Sequence, residues 1–192
     1  ALALLDAAPE PEEPGLTSTR LYMRHLLPGW NRREARETHE AYGDRLGPAT
    51  ASPRPWAQRS STRLRVGYYS RDFRKHAVAW FFLPIAERHD RSKIELVLLS
   101  DTPRHDEVTE RLRGLADAWV DLAGRSDAEV RELILQAELD VLVDLGAHTA
   151  FTRLPCFTAK LAPVQLSSLS YPDRTGLTGY DGRIVDALSD PP

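Results

Sequence analysis

The sequence predicts an α/β fold, a Rossmann-like parallel sheet covered by helices on both faces. Near-continuous apolar runs at 64–69, 94–100 and 141–145 are typical of strands that are buried on both sides. Segments with helical periodicity alternate with these runs, as in a doubly wound sheet. The composition, 42% hydrophobic and 28% charged over 192 residues, is that of a soluble globular chain with one ordinary domain and an attached segment.

Charge and cysteine content exclude several classes of protein. The net charge is -3, and acidic and basic residues are interspersed, so we expect neither a nucleic-acid partner nor a membrane-surface partner. The single cysteine, Cys156, excludes an internal disulfide framework and a cysteine-built zinc site, and it favours a reducing, cytoplasmic setting. We expect Cys156 itself to be a small core residue.

Targeting segments are not expected either. No apolar run approaches the roughly 18 residues of a membrane span. The first fifteen residues lack a basic region and turn acidic, unlike a signal peptide. The chain also lacks an initiating Met, so we expect it to be a piece of a longer protein.

Residues 1–62 predict a helical linker segment. We expect the end of a helix at 1–8, an acidic, proline-rich break at 9–15, and a short helix at 16–27. Asn31, followed three residues later by Glu34, is a capping-box pattern that begins a further helix. Its apolar stripe must pack on another part of the molecule, and it consists of Ala35, His39, Tyr42 and Leu46. A proline-containing linker at 47–62 follows.

Residues 63–192 predict the sheet and its covering helices. A second capping box, Ser126 with Glu129, begins one of these helices. The predicted strands are 64–69, 94–100, 118–122, 141–145, 164–169 and 184–185, and the predicted helices are 77–89, 105–115, 126–138 and 153–161.

Three loops that follow strand ends are the candidate site: 70–76, 146–151 and 170–179. In a parallel sheet they converge on one rim, which borders the ligand crevice. We call them the first, second and third rim loops. His76 ends the first, immediately before a helix whose free N–H groups suit a phosphate or a developing negative charge. The usual dinucleotide, P-loop and zincin motifs are absent from the sequence.

Five motifs in these residues resemble the catalytic region of the O-GlcNAc transferases and SPINDLY proteins, which form glycosyltransferase family 41. The motifs keep their order and spacing across 64–192. They are LRVGY with S-x-D-F-x-x-H at 64–76, DVLVDLGAHTA at 140–150, APVQ at 162–165, YPxxTGL at 171–177, and SDPP at 189–192.

The resemblance implies a two-lobed GT-B enzyme of which this chain holds the amino-terminal lobe and the linker helices after tetratricopeptide repeats. It implies a carboxyl-terminal lobe, after Pro192, that makes most nucleotide contacts, so we expect this chain alone to be inactive. The whole protein would transfer a sugar, with inversion, from UDP-GlcNAc or GDP-fucose to Ser or Thr hydroxyls of proteins. The resemblance implies no metal and no cofactor.

The resemblance also implies roles for particular residues. His76 becomes the active-site histidine on the acceptor side, either as the base or as a positioning group. The expected substrate- and donor-binding residues are Asp72 beside it, His148 and Thr149 in the second rim loop, and Tyr171, Pro172, Thr175 and Gly176 in the third.

Departures from the family pattern leave two rival interpretations open. Ala147, Ser168, Ser170, Asp173 and Arg174 replace other residues, and Asp173 beside a diphosphate would be repulsive unless Arg174 compensates. One rival is a degenerate, non-catalytic lobe that binds a peptide or protein. The other is a flavodoxin-like or regulator domain.

The remaining histidines and aromatic residues receive structural interpretations. We expect His39 to pack between helices. The aromatic run at 80–82 is expected in the core or at an interface between lobes, and His25, His89 and His105 at the surface near helix ends.

Overall fold

The computed structural model describes residues 14–52, 56, 61–149, 151 and 153–188. The helix end expected at 1–8, part of the acidic break at 9–15 and the SDPP motif at 189–192 lie outside the described residues.

The described residues form five α-helices, six β-strands and one short 3₁₀ helix, joined by loops. The helices are α1 Pro14–His25, α2 Arg32–Leu46, α3 Ala77–Arg88, α4 Glu107–Leu115 and α5 Asp127–Gln136, with the 3₁₀ helix at Leu154–Thr158. The strands are β1 Leu64–Ser70, β2 Ile94–Ser100, β3 Ala118–Asp121, β4 Val141–Asp144, β5 Val164–Ser168 and β6 Gly182–Ile184.

The segment 153–161 is shorter as a helix than the sequence predicts. Its turn ends at Thr158, because the backbone at Ala159 is extended and bridges Thr50 of the linker in parallel. The amide of Thr50 donates to the Thr158 carbonyl at 3.0 Å, and Lys160 donates to the Thr50 carbonyl at 3.0 Å. A long-range backbone pairing therefore replaces the local helix at this point.

All six strands are parallel, in the order β3-β2-β1-β4-β5-β6. The strand order reverses between β1 and β4, and ligands of open α/β sheets bind at such a switch point, beyond the carboxyl ends of the strands. The first and second rim loops flank this point, and the third follows the next strand, β5. The doubly wound, Rossmann-like prediction is confirmed.

Alternation along each strand divides the core into two layers. Val66 and Tyr68 of β1 pack in a cluster with residues of α3 and α4. Tyr69 of the same strand packs in a second cluster with residues of α5, the 3₁₀ helix, α1 and α2. Since neighbouring side chains of a strand point to opposite faces, each cluster covers one face of the sheet.

The two linker helices belong to this core. Leu21 of α1 and Tyr42 of α2 are buried in the same cluster as Phe157 of the 3₁₀ helix. A Cβ atom on Gly43 of α2 would collide with the carbonyl oxygen of Gly176, so α2 lies directly against the third rim loop. The stripe expected to pack on another part of the molecule therefore packs on the sheet region of this chain. The division at residue 62 stays a prediction.

The aromatic run of α3 divides between core and surface. Phe82 is buried, whereas Trp80 and Phe81 are 54% and 69% exposed. The last two are therefore not core residues, and their place at an interface between lobes stays a prediction. Among the described helices, none combines the length and apolar character that a membrane crossing requires.

Candidate functional site

His76 is the N-cap of α3 and lies at the carboxyl edge of the sheet. Its backbone is extended, and its Nδ1 accepts a hydrogen bond from the amide of Val78 at 3.3 Å. Its side chain is 39% exposed, and Nδ1 lies 3.6 Å from Oδ2 of Asp72. Buried Phe73 anchors the loop between them. The imidazole is therefore held in place through Nδ1 and is partly exposed to solvent.

The surroundings of His76 support two tautomers. When Nδ1 accepts from Val78, the ring proton is on Nε2, and His76 offers a hydrogen-bond donor to a ligand. When Nδ1 carries the proton and pairs with the Asp72 carboxylate, Nε2 offers a lone pair that takes a proton. The first arrangement positions a ligand, and the second suits a general base.

Asp72 is itself held in place. Its Oδ1 accepts from Nη2 of Arg74 at 3.0 Å, and its amide donates to the Ser70 hydroxyl at 2.9 Å. The neighbouring amide of Lys75 donates to the Asp106 carboxylate at 2.7 Å, which ties the loop to the start of α4. The Asp72 carboxylate is thus directed by local contacts toward His76.

The second rim loop is organised by Asp144, at the end of β4. This buried carboxylate accepts from the amides of Gly146 at 2.8 Å and Ala147 at 3.1 Å, and from the Tyr180 hydroxyl at 2.7 Å. Burial raises the pKa of Asp144, and these hydrogen bonds oppose the rise. The carboxylate sets the turn that leads into His148.

His148 is fully buried, with both ring nitrogens bonded. Nε2 lies 2.8 Å from the Thr175 carbonyl, which only accepts, so Nε2 carries the proton. Nδ1 then accepts from the Ser18 hydroxyl of α1 at 2.7 Å. Burial, with His39 and His25 nearby, lowers the pKa of His148 to about 3. The ring is neutral and closed off, while neighbouring Thr149 is partly exposed.

The third rim loop packs against α2. The Tyr171 hydroxyl donates to Nε2 of His39 at 2.6 Å, and both side chains are buried. Thr175 is also buried, and its hydroxyl accepts from the amide of Leu177 at 3.3 Å. Gly176 has a φ of +79°, and a Cβ there would collide with the His39 carbonyl. Only Pro172 is exposed among the candidate residues of this loop.

The second rim loop contacts both of the others. The Arg71 guanidinium of the first lies 5.2 Å from the ring centre of Phe151 in the second. The second and third are joined by the bond from His148 to Thr175 and by a bond from the Ser170 hydroxyl to the Leu145 carbonyl. The expected convergence of the loops is therefore confirmed.

The candidate residues fall into two groups within this rim. Asp72, His76, Thr149 and Pro172 keep side-chain surface toward solvent, and the side chains of His148, Tyr171 and Thr175 are buried. Because the side chains of the second group are buried, these residues can contact a ligand only through their backbone atoms. Their assignment to donor binding stays a prediction.

Sequence reasoning missed the partners that hold the rim. Ser18 on α1 bonds His148, which no local pattern indicates. Buried Asp101, at the end of β2, accepts from Nε of Arg153 at 2.8 Å and from the Tyr69 hydroxyl at 3.1 Å. A carboxylate directly after a buried strand was the available signal for Asp101.

Two expectations about the other histidines have opposite outcomes. His39 of α2 packs between helices, as expected: it is fully buried, and its ring centre lies 5.7 Å from that of His25 of α1. The prediction for His25 is wrong, since its ring is only 15% exposed and lies against Tyr171 with ring centres 5.3 Å apart. The chain turns back after α1 and brings His25 over the third rim loop, a contact that helix-end position does not indicate.

The sheet and rim define the class of this protein: a Rossmann-like α/β fold with a polar crevice edge at its strand-order switch. A family model described as Glycosyl transferase family 41 matches residues 50–192, and the chain belongs to that family.

Relatives and a solved structure agree with this membership. SPINDLY of Arabidopsis thaliana, named a probable UDP-N-acetylglucosamine–peptide N-acetylglucosaminyltransferase, is 34% identical over an alignment of 133 residues that covers 67% of this chain. The Caenorhabditis elegans UDP-N-acetylglucosamine–peptide N-acetylglucosaminyltransferase is 30% identical over 131 residues, also 67% of this chain. A mutant O-GlcNAc transferase of Thermobaculum terrenum matches 90% of this chain with a TM-score of 0.78 and 33% identity.

The chain is much shorter than these proteins. It spans 15% of the Arabidopsis sequence, 11% of the Caenorhabditis sequence and 34% of the Thermobaculum chain.

Proposed function

We propose that this chain is the amino-terminal lobe of an inverting protein O-glycosyltransferase and forms the acceptor-side wall of its active site. The whole protein would move a sugar from a nucleotide sugar to Ser or Thr hydroxyls of cytoplasmic proteins. The observation that supports this most is the placement of His76, which is half-open to solvent at the switch point and backed by Asp72 at 3.6 Å.

In the proposed reaction the acceptor hydroxyl oxygen attacks the anomeric carbon from the face opposite the nucleotide. The bond to the diphosphate oxygen breaks as the new glycosidic bond forms. The hydroxyl proton passes to Nε2 of His76 or through it to solvent, and Asp72 stabilises the imidazolium. The leaving diphosphate needs positive charge and N–H donors. We assign most of these donors to a carboxyl-terminal lobe, which is itself part of the proposal.

The identity of the donor is part of the proposal. The relatives named above carry UDP-N-acetylglucosamine in their names, which supports UDP-GlcNAc. The departures at Asp173 and Arg174, in the loop expected beneath the sugar and phosphates, keep GDP-fucose as the alternative.

The test combines binding and turnover in the full-length protein. UDP and GDP are titrated by calorimetry, and transfer from each labelled sugar nucleotide to a Ser/Thr peptide pool is measured. We expect saturable binding of one nucleotide and transfer of its sugar. The 192-residue chain alone should bind neither nucleotide tightly, and tight binding by it would contradict the two-lobe proposal.

A second candidate is a non-catalytic lobe that binds peptides or proteins. The observation in its favour is that His148 and Tyr171 form hydrogen bonds with the linker helices. The partner of His148 is Ser18, and the partner of Tyr171 is His39. Peptide binding by the full-length protein without any sugar transfer would support this candidate over the enzyme.

A further inference from the structure

One group of side chains outside the reaction has the composition of a metal site. His25 of α1, His39 of α2 and Asp173 of the third rim loop each offer one ligand atom, and these atoms lie within 4.8 Å of one another. Zinc bonds to imidazole nitrogen and carboxylate oxygen at about 2.0–2.2 Å, so ligands around a tetrahedral ion are about 3.3 Å apart. Side-chain rotations that bring the ligand atoms about 1.5 Å closer together would allow all three to bind one ion.

His39 has the tautomer that a metal ligand needs. Its Nδ1 lies 2.6 Å from the carbonyl oxygen of Ala35, which only accepts, so Nδ1 carries the proton. Its Nε2 therefore offers a lone pair, which now accepts the Tyr171 hydroxyl at 2.6 Å. A backbone carbonyl on the far nitrogen is the usual second partner of a zinc-bound histidine.

His25 has a buried nitrogen that lacks a bonding partner. Its Nε2 is enclosed but makes no hydrogen bond within the described residues. Oδ2 of Asp173 is 3.9 Å away, too far for a hydrogen bond but suitable for a shared ion. A buried polar atom without a hydrogen-bond partner destabilises the fold, and a bound ion would provide this nitrogen with a partner.

We propose that His25, His39 and Asp173 bind a zinc ion that joins α1 and α2 to the third rim loop. The Asp173 side chain is 25% exposed, which leaves room for water as a fourth ligand. The ion gives Asp173 a role although it departs from the family pattern. The proposal is independent of the proposed function and gives zinc no part in sugar transfer.

Two neighbours compete with the ion. The Tyr171 hydroxyl occupies Nε2 of His39, and the Arg174 side chain lies 3.7 Å from Oδ1 of Asp173. Removing either competitor should therefore tighten zinc binding, whereas removing a ligand should weaken it. Changes of opposite sign distinguish this site from non-specific binding of zinc to surface histidines.

The test is zinc affinity in the full-length protein after chelator treatment, by competition with a chromophoric zinc indicator. His25→Asn and Asp173→Asn should each weaken binding by about 100-fold or more, since even second partners of metal ligands contribute 10–100-fold. Tyr171→Phe should tighten it by about 2–10-fold, the value of one hydrogen bond. Zinc should raise the Tm of the wild type more than that of Asp173→Asn.

His105→Asn is the matched control, because His105 also faces a carboxylate, Asp121, at 3.8 Å, and no third ligand joins the pair among the described residues. It should leave the affinity unchanged. If His25→Asn unfolds the protein, Asp173→Asn and the absorption spectrum of bound Co²⁺ carry the test, since the spectrum reports nitrogen ligands. The absence of saturable zinc binding in the wild type would overturn the proposal, as would equal affinity in wild type and Asp173→Asn.

Discussion

His76 and His148 follow two neighbouring strands of one sheet, β1 and β4, but only His76 keeps its ring partly in solvent. Nδ1 of His76 has one long hydrogen bond and a carboxylate 3.6 Å away. His148 has two short hydrogen bonds and no exposure. A histidine that performs chemistry must be reachable and able to change its protonation state, whereas a histidine bonded on both sides and buried in the neutral form stabilises the fold.

The largest expected effect on stability is that of His148→Ala. The change leaves the Ser18 hydroxyl and the Thr175 carbonyl unpaired and creates a cavity, so the free energy of unfolding should fall by about 3–5 kcal/mol. Urea unfolding of the chain measures it. His105→Ala, at an exposed site, should stay within about 0.5 kcal/mol of wild type. Equal losses in the two variants would erase the contrast between buried and exposed histidines.

The pH dependence of stability should report the same burial. The folded-state pKa of His148 is about 3, below the unfolded value of 6.5, so the unfolded chain binds more protons between these values. The stability is complete above pH 6.5 and is lost progressively as pH falls, by about 2 kcal/mol between pH 6.5 and 5.

Neighbouring groups act on this pH dependence in both directions. His39 and His25, whose pKa values burial also lowers, add losses of the same sign. Asp144, whose pKa burial raises, acts oppositely at lower pH. Tyr171 also faces the ring, but burial raises the pKa of its hydroxyl above the ordinary value, so it does not titrate in this range. His148→Gln should flatten the curve, and an unchanged slope would show that His148 binds its proton equally in the folded and unfolded states.

The smallest expected effect is that of Asp72→Asn on turnover. The carboxylate 3.6 Å from Nδ1 stabilises an imidazolium by roughly 1–2 kcal/mol at a partly exposed site, so the transfer rate should fall by about tenfold. Steady-state kinetics of the full-length protein measures it, with Asp121→Asn beside His105 as the control. An unchanged rate would give His76 the positioning role and leave the base elsewhere.

The sequence predicts the parts of this molecule that depend on local patterns. Apolar strands such as 94–100 and the Ser126–Glu129 capping box are confirmed because their periodicity and cap chemistry are local. The 3₁₀ turn at 154–158 is shorter than predicted because a pairing with Thr50, about a hundred residues away in the chain, overrides it.

The candidate site shows the same division between local and distant contacts. Both rim histidines are visible in the sequence, and each ends or occupies a loop after a buried strand. That His148 faces Ser18, 130 residues away, depends on how α1 packs, which no spacing in the sequence encodes. Burial, and not residue type, therefore separates the two histidines.

The most direct test of the account is the transfer rate of His76→Ala in the full-length protein, measured together with its nucleotide affinity. We expect the rate at saturating donor to fall by about 10²–10⁴-fold, the usual contribution of a general acid–base group, and the nucleotide Kd to change by less than about twofold. His105→Ala, whose side chain is 37% exposed against 39% for His76, should keep the wild-type rate. An unchanged rate in His76→Ala would contradict the proposed role of His76 in sugar transfer.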